Sequence, residues 1–295
     1  MKPASIIFLV VALVVTSVGF FLCRRAEKQA EAEGIELFNS STDEDGNNVS
    51  TLRYDTDAMQ KISVTLNKGT VYLRRGTEQK VETYNMLDGF YLRGVSTNML
   101  QINDTLGVVD MFKEGGLGLS FNGLRNILRS FDLIRKERAV VVYLPDGASL
   151  NSISVSVRTG DIVLEDFFTD ADLTLKTEEG NVRLKNVSAS GLLQISAGQG
   201  GVSLTDGFAG DLRIAAEKGD VSLENTLLKS AAVTVGEGNI SLALSSPLVS
   251  YAAVLSAPDG ITVNGTAAGV SLSTGVQSDL SVTAKTAAGR ITVQG

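Results

Sequence analysis

Asp161 and Asp220 are the residues that could do chemistry by type. Each follows a glycine, in Thr159-Gly160-Asp161-Ile162-Val163-Leu164 and Lys218-Gly219-Asp220-Val221-Ser222-Leu223. Acid–base work on an acidic polysaccharide needs several such carboxylates beside Lys and Arg on one exterior face. Here each is a solitary member of a column. The residues that follow the recurring glycine are Asp161, Asn181, Gly201, Asp220 and Asn239. Asn and Gly cannot exchange a proton at neutral pH, so the column is expected to be a stack of turn residues. A low-affinity Ca²⁺ site along it would need more carboxylates than two. Asp43-Glu44-Asp45-Gly46-Asn47 resembles the start of an EF-hand loop. The bidentate Glu at the twelfth position is missing, and a solvated linker is the expectation.

Composition removes most other chemistry. The 295 residues include no His and one Cys, Cys23. A Ser or Cys nucleophile therefore lacks its common base, and zinc lacks both of its usual ligand types. The repeat glycines precede strands rather than helices, so no phosphate loop is present. A net charge of −7 argues against a nucleic-acid partner. No catalytic, cofactor-binding or metal-ligating residue is expected, no cofactor is expected, and the chain is not expected to be an enzyme.

The elements that position the column are legible from a repeat. Gly160, Gly180, Gly200, Gly219 and Gly238 lie roughly twenty residues apart, the period of a solenoid rung. Apolar residues align around them. Before the glycine stand Ile153, Leu173, Leu193, Leu212 and Ala231, then Val155, Leu175, Ile195, Ile214 and Val233. After it stand Ile162, Val182, Val202, Val221 and Ile240, then Leu164, Leu184, Leu204, Leu223 and Leu242. Alternation with period two marks strands with one buried face. A second turn signal comes from Asp166, Asn186, Asp206 and Asn225. Phe168, Val187, Phe208 and Leu227 are expected to pin that corner onto the core. One unit buries too little to stand alone, so the units must stack. An all-β parallel β-helix, or β-solenoid, is predicted, and an antiparallel sandwich is the rival.

The repeat places three parts. Residues 1–28 hold an almost unbroken apolar run without charge, 4–23, long enough to cross a bilayer as a helix. Small residues do not close the run as a signal-peptidase site would require, so a retained single-pass anchor is expected. Arg24, Arg25 and Lys28 outnumber Lys2, which alone would hold the body in the cytoplasm. The short N-terminal tail and the cysteine-free body instead fit an extracytoplasmic body at the cell membrane. Residues 29–57 are polar and predicted to be a linker.

The solenoid is predicted over 58–295. Ile62, Val64, Gly69, Val71 and Leu73 carry the phrase early, and Val81–Tyr84, Leu100–Ile102 and Ala139–Leu144 are further strands. Regular rungs cover 153–243. Over 244–295 the repeat loosens: Gly260 has slipped by one residue, Val270–Leu272 is an extra half-unit, and Gly289, Ile291 and Val293 restore the phrase with no visible cap. Within the body, Leu124, Ile127, Leu128, Phe131 and Ile134 have helical spacing among five basic residues. A short amphipathic helix near 123–138 is predicted to cover the solenoid rather than lie on a membrane.

These repeats behind an N-terminal anchor resemble a bacterial putative-adhesin-like β-strand-repeat family of unknown function. The resemblance spans 62–295 and is clearest over 153–242. It implies a β-solenoid at the cell envelope, in some members tied to envelope-stress regulation, and no catalytic motif. The expected function is a membrane-anchored, non-enzymatic scaffold or adhesin-like binding module. The alternatives are an envelope-stress regulator acting through a membrane partner, and a polysaccharide-acting β-helix enzyme. Expected partners are the lipid bilayer through residues 4–23 and a surface glycan or envelope protein.

Overall fold

A computed structural model describes residues 40–53, 59–86, 92–96, 98–104, 136–145, 148 and 150–295. The described residues form strands and a single 3-10 turn at Leu248–Ser250. In chain order the strands are β1 Ser40–Thr42, β2 Asn48–Arg53, β3 Lys61–Lys68, β4 Thr70–Arg75, β5 Lys80–Tyr84, β6 Leu92–Ser96 and β7 Met99–Asp104. Then come β8 Ala139–Leu144, β9 Ser152–Thr159, β10 Ile162–Thr169, β11 Asp172–Glu179, β12 Val182–Gln199, β13 Val202–Lys218 and β14 Val221–Glu237. The last are β15 Ile240–Leu244, β16 Ala252–Val263, β17 Thr266–Ser273, β18 Ser281–Ala288 and β19 Ile291–Gln294.

The predicted columns are the observed register. Ile162, Val182, Val202, Val221 and Ile240 pair in parallel from rung to rung, and so do Leu164, Leu184, Leu204, Leu223 and Leu242. All ten side chains are buried. The same holds before the glycine, for Ile153, Leu173, Leu193, Leu212 and Ala231. Thr177 and Thr286 face inward as well, and each hydroxyl donates to the backbone carbonyl of the glycine in the preceding rung, at 3.0 and 2.8 Å. A buried hydroxyl is thereby satisfied without a polar partner in the core.

Both turns depend on backbone that few residues adopt. Gly160 through Gly238 have φ between 140° and 150°. At the second corner Asp166, Asn186, Asp206 and Asn225 have φ of 51°, 52°, 53° and 48°. Short Asx side chains tolerate this left-handed region, which explains their recurrence there.

The spatial order of rungs is not the chain order. β3 and β4 pair in parallel with β9 and β10 on one side, and with β7 and β8 on the other. The first rung in sequence is therefore second in space. The same exchange occurs at the far end. β18 and β19 pair with β14 and β15 on one side and with β16 on the other. The last rung in sequence is next to last in space. Antiparallel strands cover both ends: β6 lies on β7, β5 on β8 with β2 and β1 beyond it, and β17 on β16. A bare parallel edge would otherwise template pairing with other chains.

Several expectations need correction. Part of the predicted linker 29–57 is sheet, since β2 pairs antiparallel with β5. Alternation in Val49-Ser50-Thr51-Leu52 was too short and polar to show against the Asn- and Ser-rich surroundings. Phe168, Phe208 and Leu227 do not pin the corner: with Ser188 they form an outward column, and Phe168 is 51% exposed. The corner residue consumes one step of the alternation, so the neighbouring column, Phe167, Val187, Gly207 and Thr226, faces inward. Val270–Leu272 is not a half-unit but part of the antiparallel cover β17. The predicted slip at Gly260 is observed: Ile261 pairs with Ile291, one residue early relative to the glycine. β19 is not an uncapped end, because it lies between β15 and β16.

Residues 4–23, and 123–135 of the predicted basic helix, lie outside the described residues. Residues 136–138 run without helix into β8. Among the described residues no helix is long and apolar enough to cross a membrane.

Candidate functional site

Asp161 and Asp220 do structural work. Asp161 Oδ1 accepts from the backbone N–H of Asn181 at 2.7 Å, and Asn181 Oδ1 accepts from that of Gly201 at 2.9 Å. Asp220 Oδ1 accepts from Asn239 N at 2.7 Å, and Asn239 Oδ1 from Arg290 N at 3.0 Å. The column is a ladder in which each side chain caps the turn one rung on. The other oxygen of Asp161 takes Arg183 Nη1 at 2.7 Å. Asp161 and Asp220 are not brought together, as two rungs separate them. Among the described residues no three acidic side chains converge where they could hold a metal ion. Asp43 spends both oxygens on Asn47, at 2.6 Å to its N–H and 3.1 Å to its amide, which closes the β1–β2 turn. The Asn47 amide hydrogen bond is the main cause holding its carboxyl below the usual range.

The structure assembles a different constellation on the outer face of β4, β8 and β5. In each strand alternate residues are buried, Val71 and Leu73 on β4, Val140, Val142 and Leu144 on β8, and Val81 and Thr83 on β5, so the residues between them point out. Those are Tyr72 and Arg74 on β4, Val141 and Tyr143 on β8, and Lys80, Glu82 and Tyr84 on β5. Register sets them side by side. Arg74 lies beside Tyr143 and Tyr143 beside Lys80; Tyr72 lies beside Val141 and Val141 beside Glu82. Three of the chain's six tyrosines thus share one face. Val141 sits among them and is only 5% exposed although it points outward.

Glu82 is the hub. Its Oε2 accepts from the Tyr84 hydroxyl at 2.9 Å and the Tyr143 hydroxyl at 3.2 Å, and its Oε1 meets Lys80 Nζ at 2.8 Å. Burial pushes the Tyr84 phenol up to about 12, aided by its bond to Glu82. Burial also raises Tyr143, again with Glu82 helping. For Glu82 burial works upward, yet the Lys80 and tyrosine hydrogen bonds outweigh it and hold the carboxyl below its usual value. The bond to Glu82 raises Lys80. Every group is therefore fixed in its ordinary neutral-pH state, and none is poised to exchange a proton.

Cations flank the rings. Lys80 Nζ lies 4.7 Å from the Tyr143 ring centre and the Arg74 guanidinium 4.8 Å from that of Tyr72. Arg74 also reaches Glu165 of β10 at 3.4 Å. At its margin the Arg75 guanidinium lies 5.3 Å from the Phe168 ring. The face offers preset aromatic, cationic and carboxylate groups on three hydrogen-bonded strands.

None of this constellation is among the sequence-predicted site residues. Alternation in Val71-Tyr72-Leu73 and Val142-Tyr143-Leu144 shows that each ring points outward. That β5 runs antiparallel beside β8 is what brings Glu82 to Tyr143, and no repeat signal encodes it.

One family model covers more than half of the chain. Residues 59–246 match the family model described as Toastrack DUF4097. Among solved structures, a putative cell adhesion protein from Clostridium sporogenes is similar at 12% identity, with 84% of this chain and 99% of that chain covered and a TM-score of 0.35. A putative adhesin from Bacteroides fragilis is similar at 15% identity, with 83% and 96% covered and a TM-score of 0.39. No curated protein matches the chain.

Proposed function

We propose, for a chain that belongs to the Toastrack DUF4097 family, that it is a non-enzymatic binding module of the cell envelope. Residues 4–23 anchor it in the bilayer, the solenoid stands on the extracytoplasmic side, and the tyrosine face meets an envelope protein. The observation that carries this reading is the gathering of Tyr72, Tyr84 and Tyr143 with Arg74 and Lys80 around Val141.

Tyr and Arg are enriched where proteins meet, and they dominate the energy of such contacts. A Tyr side chain offers a large apolar surface while losing little conformational freedom on binding. The hydrogen bonds to Glu82 hold two of the rings in place before any partner arrives. That lowers the ordering cost of association. An outward sheet face suits a macromolecular surface, whereas a small molecule binds in a concavity. The hydrogen-bonded Asp ladder and the saturated Glu82 hub support a scaffold rather than an acid–base catalyst.

Two measurements test the reading. Protease shaving of intact cells should digest the body, and digestion only after lysis would overturn its placement. Tyr72→Ser with Tyr143→Ser in the full chain should abolish recovery of a membrane partner from envelope extracts while the chain still folds to the same β-sheet circular dichroism. Recovery equal to wild type would overturn the assigned face.

A further inference from the structure

The charges of this chain run out toward one end. Between Glu237 and Lys285 the only charged residues are Asp259 and Asp279, in a protein that is 20% charged. This stretch builds β15, the 3-10 turn, the terminal rung β16 and its cover β17. β17 pairs with β16 along one edge, and among the described residues no strand occupies the other. Open sheet edges are ordinarily guarded by Lys, Pro, a strong bulge or a very short strand. β17 runs for eight residues, Thr-Ala-Ala-Gly-Val-Ser-Leu-Ser, with no charge and no Pro; its register with β16 shifts around Gly269, which leaves Ser271–Ser273 as its longest regular stretch. A Cβ built at Gly265 or Gly269 would meet nothing within 4 Å, so none of the described residues lies against the strand there. The covers at the opposite end differ: β5 carries Lys80 and Glu82, and β2 ends on Arg53.

Apolar surface accompanies the bare edge. Val249, Val254, Val270 and Val276 are 72%, 52%, 59% and 42% exposed. All four belong to this end. The Ser278 hydroxyl donates to the Ser250 carbonyl and that of Thr274 to the Tyr251 carbonyl, both at 2.7 Å, which ties the segment after β17 to the 3-10 turn.

We propose that β17 pairs antiparallel with β17 of a second copy, joining two solenoids end to end across a two-fold axis, with these valines at the seam. A second copy is the occupant that fits. An antiparallel edge is complementary to itself under a two-fold rotation, so no separate partner surface has to exist. Copies of a protein of net charge −7 repel one another over most of their surface. This end is where that repulsion is weakest, since Asp259 and Asp279 are its only charges. The contact lies at the end of the stack, so the tyrosine face near the other end stays open in the dimer.

The test uses the full chain in mild detergent with mass measured by light scattering. Wild type should be a dimer, and Val270→Lys a folded monomer with the same β-sheet circular dichroism. Mixing Val270→Lys with Val270→Glu should restore the dimer. Hydrogen exchange reads the same edge without substitution: amides of 266–273 should slow as wild type is concentrated. A monomeric wild type, a dimer that survives Val270→Lys, or β17 exchange that ignores concentration would each overturn the proposal.

Discussion

Gly180 rests directly on Gly160: a Cβ added to Gly180 would lie 2.1 Å from the Gly160 carbonyl oxygen. The same contact recurs at 2.0 Å for Gly200 on Gly180 and at 2.2 Å for Gly219 on Gly200. The glycines are thus required twice, by a φ near 148° and by the backbone of the rung below. Gly180→Ala should cost more than about 4 kcal/mol, because the obstacle is backbone and cannot swing away. Urea denaturation checks it, and a loss under about 1 kcal/mol would refute the stacking geometry.

Gly201 interrupts the Asx ladder. It receives a cap from Asn181 but has no side chain to offer the Asp220 N–H. Gly201→Asn should supply that acceptor and also restrict the unfolded chain, for a gain of about 1 kcal/mol. The added Cβ would stand 3.2 Å from the Asp220 carbonyl, so that backbone must give slightly. A raised thermal midpoint is the expected outcome; a lowered one would show that the ladder contributes little.

Leu184 is 2% exposed and its neighbour Arg183 points to solvent. Leu184→Ala should cost about 2–5 kcal/mol through the cavity it leaves. Arg183→Ala removes only an exposed ion pair with Asp161, worth about 0–1 kcal/mol. Similar losses at the two positions would mean that the register is misassigned.

Asp104 and Arg138 meet at 3.3 Å where the chain leaves β7 and returns into β8. Burial raises the Asp104 carboxyl above its ordinary 3.8, with Arg138 opposing. A raised carboxyl means that the folded state holds the proton more tightly than the unfolded state. Stability contributed by this group is therefore greatest at low pH and falls as pH rises from about the ordinary value through the folded one. Wild type minus Asp104→Asn, followed by denaturation across that window, should show this decline. A difference that grows with pH would contradict the assignment. Arg138→Ala should be more damaging near neutral pH, because it strands a buried carboxylate at a cost of roughly 3 kcal/mol.

Much of the body was legible because the repeat is a local signal repeated many times. Glycines, apolar columns and Asx corners each appear in consecutive rungs, so no single ambiguous residue matters. What was not legible depends on which strand neighbours which. The exchange of rungs at both ends leaves Gly69 and Gly289 with ordinary local phrases. The outward turn of Phe168 follows from a left-handed corner at Asp166 that shifts the alternation by one. The tyrosine face is hidden for the same reason, since its residues come from three strands joined by antiparallel pairing outside the repeat.

The face around Tyr143 is the proposed binding surface for an envelope protein. Photocrosslinking in intact cells tests it most directly, with benzoylphenylalanine at Tyr143 and, as a control, at exposed Thr174 on the regular rungs. A discrete crosslinked species from position 143 and none from 174 is the predicted result. The same species from both positions, or none from 143 in folded protein at normal abundance, would contradict it.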